Sequence, residues 1–296
     1  MRTRLTCWTI VVLGVSGPAA AQTGPYIQMD LGLAVAAPLA VHGSNNDWGT
    51  KCDLVLNPHG LEVGGACDAA PLRAAWLNEL DGAAGVRTGF AFGYDWGAVR
   101  LEAEYFHRVA AYNERTDTGT ETAVILAKRE QEISLAVGGV DDLRAHGVFA
   151  NVYYDFGPET SSWTPYVGAG FGLERASLDY FSLWKRNHDP ERITTFADPL
   201  LRATLAGTTS VAEARLTDSV PGYQLLAGVD YRLAEPVTLG VKFRWAHFGE
   251  FESEPRPWNQ LRSHESDIGR GEPILYQVTT DDIRFWSVSL SLKYQF

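Results

Sequence analysis

Read from its C-terminal end, the chain alternates without a break. Trp286, Val288, Leu290, Leu292, Tyr294 and Phe296 fall on one face of an extended segment, and Ser287, Ser289, Ser291, Lys293 and Gln295 fall on the other. A period of two marks a strand with two unlike faces, and a strand crossing a bilayer within a closed barrel takes about 9 to 11 residues. The apolar face opens with Trp and closes with Tyr and Phe, the side chains favoured where hydrocarbon meets headgroup. The pattern returns seven times upstream. Its apolar faces are Ile27, Met29, Leu31, Leu33 and Val35; Val86, Thr88, Phe90, Phe92 and Tyr94; Val99, Leu101, Ala103 and Tyr105; Val148, Ala150, Val152, Tyr154 and Phe156; Val167, Ala169, Phe171 and Leu173; Tyr223, Leu225, Ala227, Val229 and Tyr231; and Val237, Leu239, Val241, Phe243 and Trp245. None of these positions carries Asp, Glu, Lys or Arg. A basic residue facing lipid at the midplane would cost about 2–4 kcal/mol, so the bilayer demands that absence.

The intervening positions carry Asp30, Arg87, Arg100, Glu102, Glu104, Asp155, Asp230, Lys242, Arg244 and Lys293, so every charge falls on one face. A soluble β-sandwich would also alternate, but its polar face would meet bulk water and its apolar face would not end in aromatic belts. Connections alternate in length. Asp95 to Ala98, Gly157 to Trp163 and Leu233 to Pro236 are tight links, whereas the segments near 36–85, 106–147, 174–222 and 246–285 are long and polar. Short periplasmic turns and long external loops are the asymmetry of an outer-membrane barrel. The pattern therefore predicts an all-β fold: an eight-stranded antiparallel up-and-down transmembrane barrel with four long extracellular loops. Eight strands enclose a space only wide enough for side chains to fill. The acids and bases of the inner face are equal in number, and charges held away from water persist only when paired. A lumen plugged by this network is expected.

Composition adds a boundary and an exclusion. Residues 1–21 read as a cleaved secretory signal, with Arg2 and Arg4 before an apolar run from Leu5 to Val15 and Ala19-Ala20-Ala21 ahead of Gln22; residues 22–296 are then the barrel domain. Cys7 lies inside the apolar run, away from the cleavage point. Downstream, no stretch approaches the ~18 consecutive apolar residues of a membrane helix. The formal net charge is −11, the wrong sign for a protein that neutralises nucleic-acid phosphates.

Four stretches carry a resemblance: Asn151-Val152-Tyr153-Tyr154-Asp155-Phe156-Gly157, Pro165-Tyr166-Val167-Gly168-Ala169-Gly170-Phe171-Gly172, Ala227-Gly228-Val229-Asp230-Tyr231-Arg232 and Lys293-Tyr294-Gln295-Phe296. They resemble the OmpA-like and Opa-like surface-antigen barrels of Gram-negative bacteria. The resemblance implies residence in the bacterial outer membrane and contact with its lipids. It also implies that Tyr294 and Phe296 form the assembly signal recognised by the outer-membrane insertion machinery, and that the loops meet an exterior ligand or host surface.

Candidate chemistry is sparse. Gly168, Gly170 and Gly172 have the spacing of a phosphate loop, but the strand continues through Leu173 with no helix pattern after it; inward glycines relieve crowding in a small barrel. His42, His59, His107, His146, His188, His247 and His264 lack a zinc-ligand spacing, so neither a metal nor another cofactor is expected. His107, His247, Asp141, Asp142, Asp281 and Asp282 are the residues a barrel enzyme acting on lipid A or peptides would draw on, yet they do not order into nucleophile, base and orienting acid, and no catalytic residue is assigned. Cys52 and Cys67 share the first long loop, and export to an oxidising compartment favours a disulfide between them. The expected function is a non-enzymatic structural or surface-antigen barrel; the alternatives are a small passive porin-like channel and a barrel enzyme.

Overall fold

The computed structural model of the chain describes residues 23–48, 73–120, 132–157, 161–193, 198–258 and 275–296. The predicted signal segment, Cys52, Cys67, His59 and His264 lie outside the described residues. In chain order the strands are β1 (Gly24–Ala36), β2 (Leu39–Trp48), β3 (Arg73–Leu80), β4 (Ala83–Asp95), β5 (Val99–Asp117), β6 (Gly119–Thr120), β7 (Ile133–Asp155), β8 (Trp163–Arg186), β9 (Thr209–Ala234), β10 (Val237–Phe248), β11 (Arg256–Pro257), β12 (Leu275–Thr280) and β13 (Ile283–Gln295). A short helix, α1 (Pro199–Leu205), starts on an Asp198 side chain that caps the Leu200 amide.

Eight strands close into a barrel in the order β1-β13-β10-β9-β8-β7-β5-β4, each antiparallel to its neighbours. The alternation dictates which way the wall faces. Leu33 is 70% exposed, Leu290 68% and Phe171 65%, while the alternate positions Lys242, Glu104 and Arg100 are buried. An apolar surface of that extent, wrapped round all eight strands, is stable only against hydrocarbon. No helix among the described residues is long and apolar enough to cross a membrane; the strands do the crossing.

The described parts of the four external segments carry strand beyond the membrane-crossing run. β7, β8 and β9 run for 23, 24 and 26 residues, more than twice the ~9–11 that a crossing takes. They continue outward as an unbroken wall. On the other side of the barrel the wall is interrupted at Ala37-Pro38, Asp81-Gly82, Gly249 to Pro255 and Asp281-Asp282, and resumes above as a second sheet ordered β11-β12-β2-β3-β6. Proline lacks the ladder N–H, and glycine and aspartate favour turns, so the breaks are written locally. The segments read as polar because their outer face is polar. On β8, Arg175, Ser177, Asp179 and Lys185 look outward, while Ala176, Leu178, Tyr180, Ser182 and Trp184 point inward and are buried.

Inside this extension lies an apolar core. Trp76 packs with ring centroids 5.5 Å from Trp184 and 5.4 Å from Trp258, and Trp258 lies 5.7 Å from Tyr276. Leu39, Val41, Leu80, Val140, Leu143, Leu178, Leu216, Val278 and Ile283 complete it. The Trp76 indole nitrogen donates to Tyr180 Oη at 3.1 Å, which satisfies the one polar atom its burial would strand. Burial pushes the Tyr180 hydroxyl pKa up to about 12.

Candidate functional site

The inner face of the spanning half is a connected charge network. Arg100, 2% exposed, donates from Nη1 to Asp230 Oδ2 at 2.9 Å and from Nη2 to Asp155 Oδ1 at 2.8 Å. Its guanidinium lies against the rings of Tyr153 and Tyr166, 5.0 and 4.7 Å from their centroids, and the two rings meet each other edge to face at 5.5 Å. Lys293 Nζ also reaches Asp230, at 3.2 Å. Across the lumen, Lys242 Nζ sits 3.1 Å from Asp30 Oδ2 and 3.8 Å from Glu102 Oε1. Glu104 takes two arginines on Oε1, Arg87 at 2.8 Å and Arg244 at 2.7 Å. Neutral donors fill the remaining acceptor sites: Tyr26 and Tyr153 hydroxyls on Glu102, Asn151 on Glu102 and Glu104, and Gln224 on Glu104 and Asn151. All ten inward charges read from the sequence fall in this one network, drawn from seven of the eight barrel strands. Such a network holds because each of the ten charges has an opposite charge within reach, and Asp30, Glu102 and Glu104 accept neutral hydrogen bonds as well.

Glycines make room for the large members. Tyr26 pairs across the ladder with Gly93, and a Cβ on Gly93 would come within 2.3 Å of the Tyr26 ring. Gly172 likewise lies under Phe149, where a Cβ would meet the ring at 2.6 Å. That close approach is the reason for the Gly168-x-Gly170-x-Gly172 spacing, which contains no phosphate loop.

Above the charges the lumen turns aromatic. Phe106, Phe149 and Phe248 touch in series, with centroids 5.8 and 5.9 Å apart, and Arg108 lies over Phe248 and Phe285 at 4.6 and 3.4 Å. Arg108 is ion-paired to Glu174, both fully enclosed. Sequence reasoning missed this pair, together with the buried Asp95, whose carboxylate accepts the Gly97 amide at 2.7 Å. The missed signal was the inward phase itself, which runs on through Phe106, Arg108 and Ala110 past the point where β5 leaves the membrane. Where the arginines Arg87, Arg108 and Arg244 meet Gln224 and Ser287 there is a cavity of only about 10 Å³, room for one water-sized occupant.

The residues a barrel enzyme would draw on are spread around the rim. Asp141 is bound by Arg115 at 2.6 Å, and that hydrogen bond holds its carboxyl below the usual range. Asp142 pairs with Arg144. His247 Nε2 stands 3.5 Å from Asp282, and Asp281 lies 3.3 Å from His42. His107 stacks on His146 with centroids 4.4 Å apart; burial and the neighbouring imidazole lower its pKa. Among the described residues no group of three or more His, Cys, Asp or Glu side chains could hold a metal. Tyr294 and Phe296 pack edge to face at 5.3 Å, both exposed at the periplasmic end.

A closed antiparallel barrel with a charged interior, an apolar exterior and aromatic edges defines an integral membrane β-barrel. The sequence pattern of the outer membrane protein beta-barrel domain matches residues 7–296, and the chain belongs to that family of the bacterial outer membrane. Among solved structures it is similar to Neisserial surface protein A, at 15% identity and a TM-score of 0.42, covering 93% of this chain and 98% of that one. The outer membrane protein OprG from Pseudomonas aeruginosa aligns at 12% identity and a TM-score of 0.45, covering 95% and 100%. The outer membrane protease OmpT from Escherichia coli aligns at 8% identity and a TM-score of 0.36, covering 91% and 97%. No curated protein matches the chain significantly.

Proposed function

We propose that the protein is a non-enzymatic barrel with a sealed lumen that holds a rigid β-sheet projection at the cell surface. The observation that carries this reading is the stacking of two different seals along one axis. In the spanning half the interior is filled by the network around Arg100, Lys242 and Glu104, and above it by the apolar core around Trp76. Desolvated ions would have to break paired charges and then cross a hydrocarbon-like core, and each step opposes flow. The projection is itself folded, so it presents a defined outer face to whatever the exterior surface meets. Of the residues an enzyme of this fold would draw on, only His247 and Asp282 meet, at 3.5 Å, while Asp141 and Asp142 are held by Arg115 and Arg144, which supports a non-catalytic role. Proteoliposomes carrying the protein should swell in isotonic arabinose no faster than empty vesicles, and incubation with lipid A or peptides should give no product. Rapid swelling would favour the channel reading, and turnover would favour the enzyme.

A further inference from the structure

The first outward-facing position beyond the lipid-facing run, on the external side, is a histidine or arginine on five of the eight barrel strands. They are His107 on β5, His146 on β7, Arg175 on β8, His247 on β10 and Arg284 on β13, and on β1, β4 and β9 that position holds Ala37, Ala84 and Pro221. None of the eight is acidic, in a chain whose formal net charge is −11. Three of the five stand side by side: the ladder pairs His107 with His146 and His146 with Arg175, so adjacent strands place them about 4.8 Å apart. Directly below them lie Tyr105, Val148 and Leu173, each 47% exposed or more toward lipid.

We infer that His107, His146 and Arg175 form a docking site for the phosphorylated headgroup of an outer-leaflet lipid. Arg175 is exposed and supplies a permanent charge whose planar fork matches phosphate oxygens. Tyr105 Oη lies 2.7 Å from His146 Nδ1; with the tyrosine donating, the proton of neutral His146 sits on Nε2, which becomes a donor. The stacked His107 adds a second imidazole. The outward acids nearest the row are Asp142 and Asp179, farther from the membrane, where Arg144 holds Asp142 and Arg144 and Arg215 hold Asp179. Acyl chains of a lipid bound here would lie along Val148 and Leu173. The occupant is therefore a phosphate carried by a lipid, since a free ion would gain nothing from the apolar wall beneath. This inference rests on the outer-membrane placement of the barrel and is independent of whether the lumen is sealed.

The test uses the folded full-length protein in a neutral detergent, titrated with bis-phosphorylated lipid A or with the same lipid stripped of its phosphates and read by native mass spectrometry. The phosphorylated lipid should bind about tenfold more tightly, the effect of a charge-assisted hydrogen bond at a half-desolvated boundary. Arg175→Gln should remove most of that preference, Arg192→Gln should leave it intact, and millimolar inorganic phosphate should not displace the lipid. Equal affinity of the wild type for the two lipids would overturn the site without recourse to any variant. Full preference retained in Arg175→Gln would overturn it too, and displacement by inorganic phosphate would make it a site for the free ion.

Discussion

Arg100→Ala is the substitution that most directly probes the charge network. The guanidinium joins Asp155 and Asp230, at 2.8 and 2.9 Å, and lies against the rings of Tyr153 and Tyr166. Its loss is asymmetric. Asp230 keeps Lys293 at 3.2 Å, whereas Asp155 loses the ion pair that offsets its desolvation. Removing one partner of a buried pair costs about 3–5 kcal/mol, because the other charge remains in a poorly solvated place. Loss of the contacts with the two tyrosine rings adds to this, and the residual Lys293–Asp230 pair subtracts from it, so about 3 kcal/mol is expected. That is roughly a hundredfold shift in the folding equilibrium. Urea titration of the protein reconstituted in lipid vesicles, followed by tryptophan fluorescence, measures it. The reference is Arg192→Ala, an exposed residue of the external segment, whose cost should stay within about 0.5 kcal/mol. If the two variants unfolded at the same urea concentration with the same slope, the charge network would contribute nothing net and the reasoning would fail.

Further outcomes follow from the other parts of the molecule. Trp76→Ala empties the centre of the extension core and should cost about 3–5 kcal/mol; because the wall is broken at Pro38, Gly82 and Asp281-Asp282, the loss should appear as an early near-UV dichroism transition that leaves the barrel transition in place. Deleting Phe296, whose amide bonds Pro25 and whose ring packs on Tyr294, should lower the outer-membrane yield measured by heat-shift electrophoresis; unchanged yield would dissociate this residue from assembly. Cys52 and Cys67 should be linked in the exported protein, closing a segment of about 15 residues worth on the order of 3 kcal/mol of chain freedom. Alkylation of both thiols in the unreduced protein, seen as added mass, would rule that bond out.

The spanning half was legible because the bilayer imposes its own grammar. A single charge on the lipid face is expensive, so Leu101 and Ala103 cannot share a face with Arg100, Glu102 and Glu104, and strand, phase and inward charges follow from that constraint. Two tight links, at Asp95 to Ala98 and Leu233 to Pro236, also stand where their turn residues put them. Above the membrane the constraint lapses. The outer face of β8 meets water at Arg175, Ser177 and Asp179, so the contrast between faces weakens and strand reads as loop. Bulges blur it further: β5 slips register between Ala111 and Glu114, with Asn113 at a φ of 47°, and β7 slips between Val140 and Leu143. A shift of one residue exchanges the faces, so a period-two count across either point loses phase. Partner identities were illegible for a different reason. Lys293 binds Asp230 of β9 and not the acids of β5, a choice set by strand tilt and stagger around the closed barrel, which no local pattern encodes.

In the proposed function the lumen is sealed twice, by paired charges within the membrane and by an apolar core above it. Conductance of the refolded wild-type protein in a planar lipid bilayer tests it most directly. A doubly sealed lumen gives a baseline indistinguishable from bare lipid over long recordings, with brief openings becoming more frequent when Arg100 or Arg244 is replaced by alanine; a steady, porin-sized conductance from the wild type would contradict the seal.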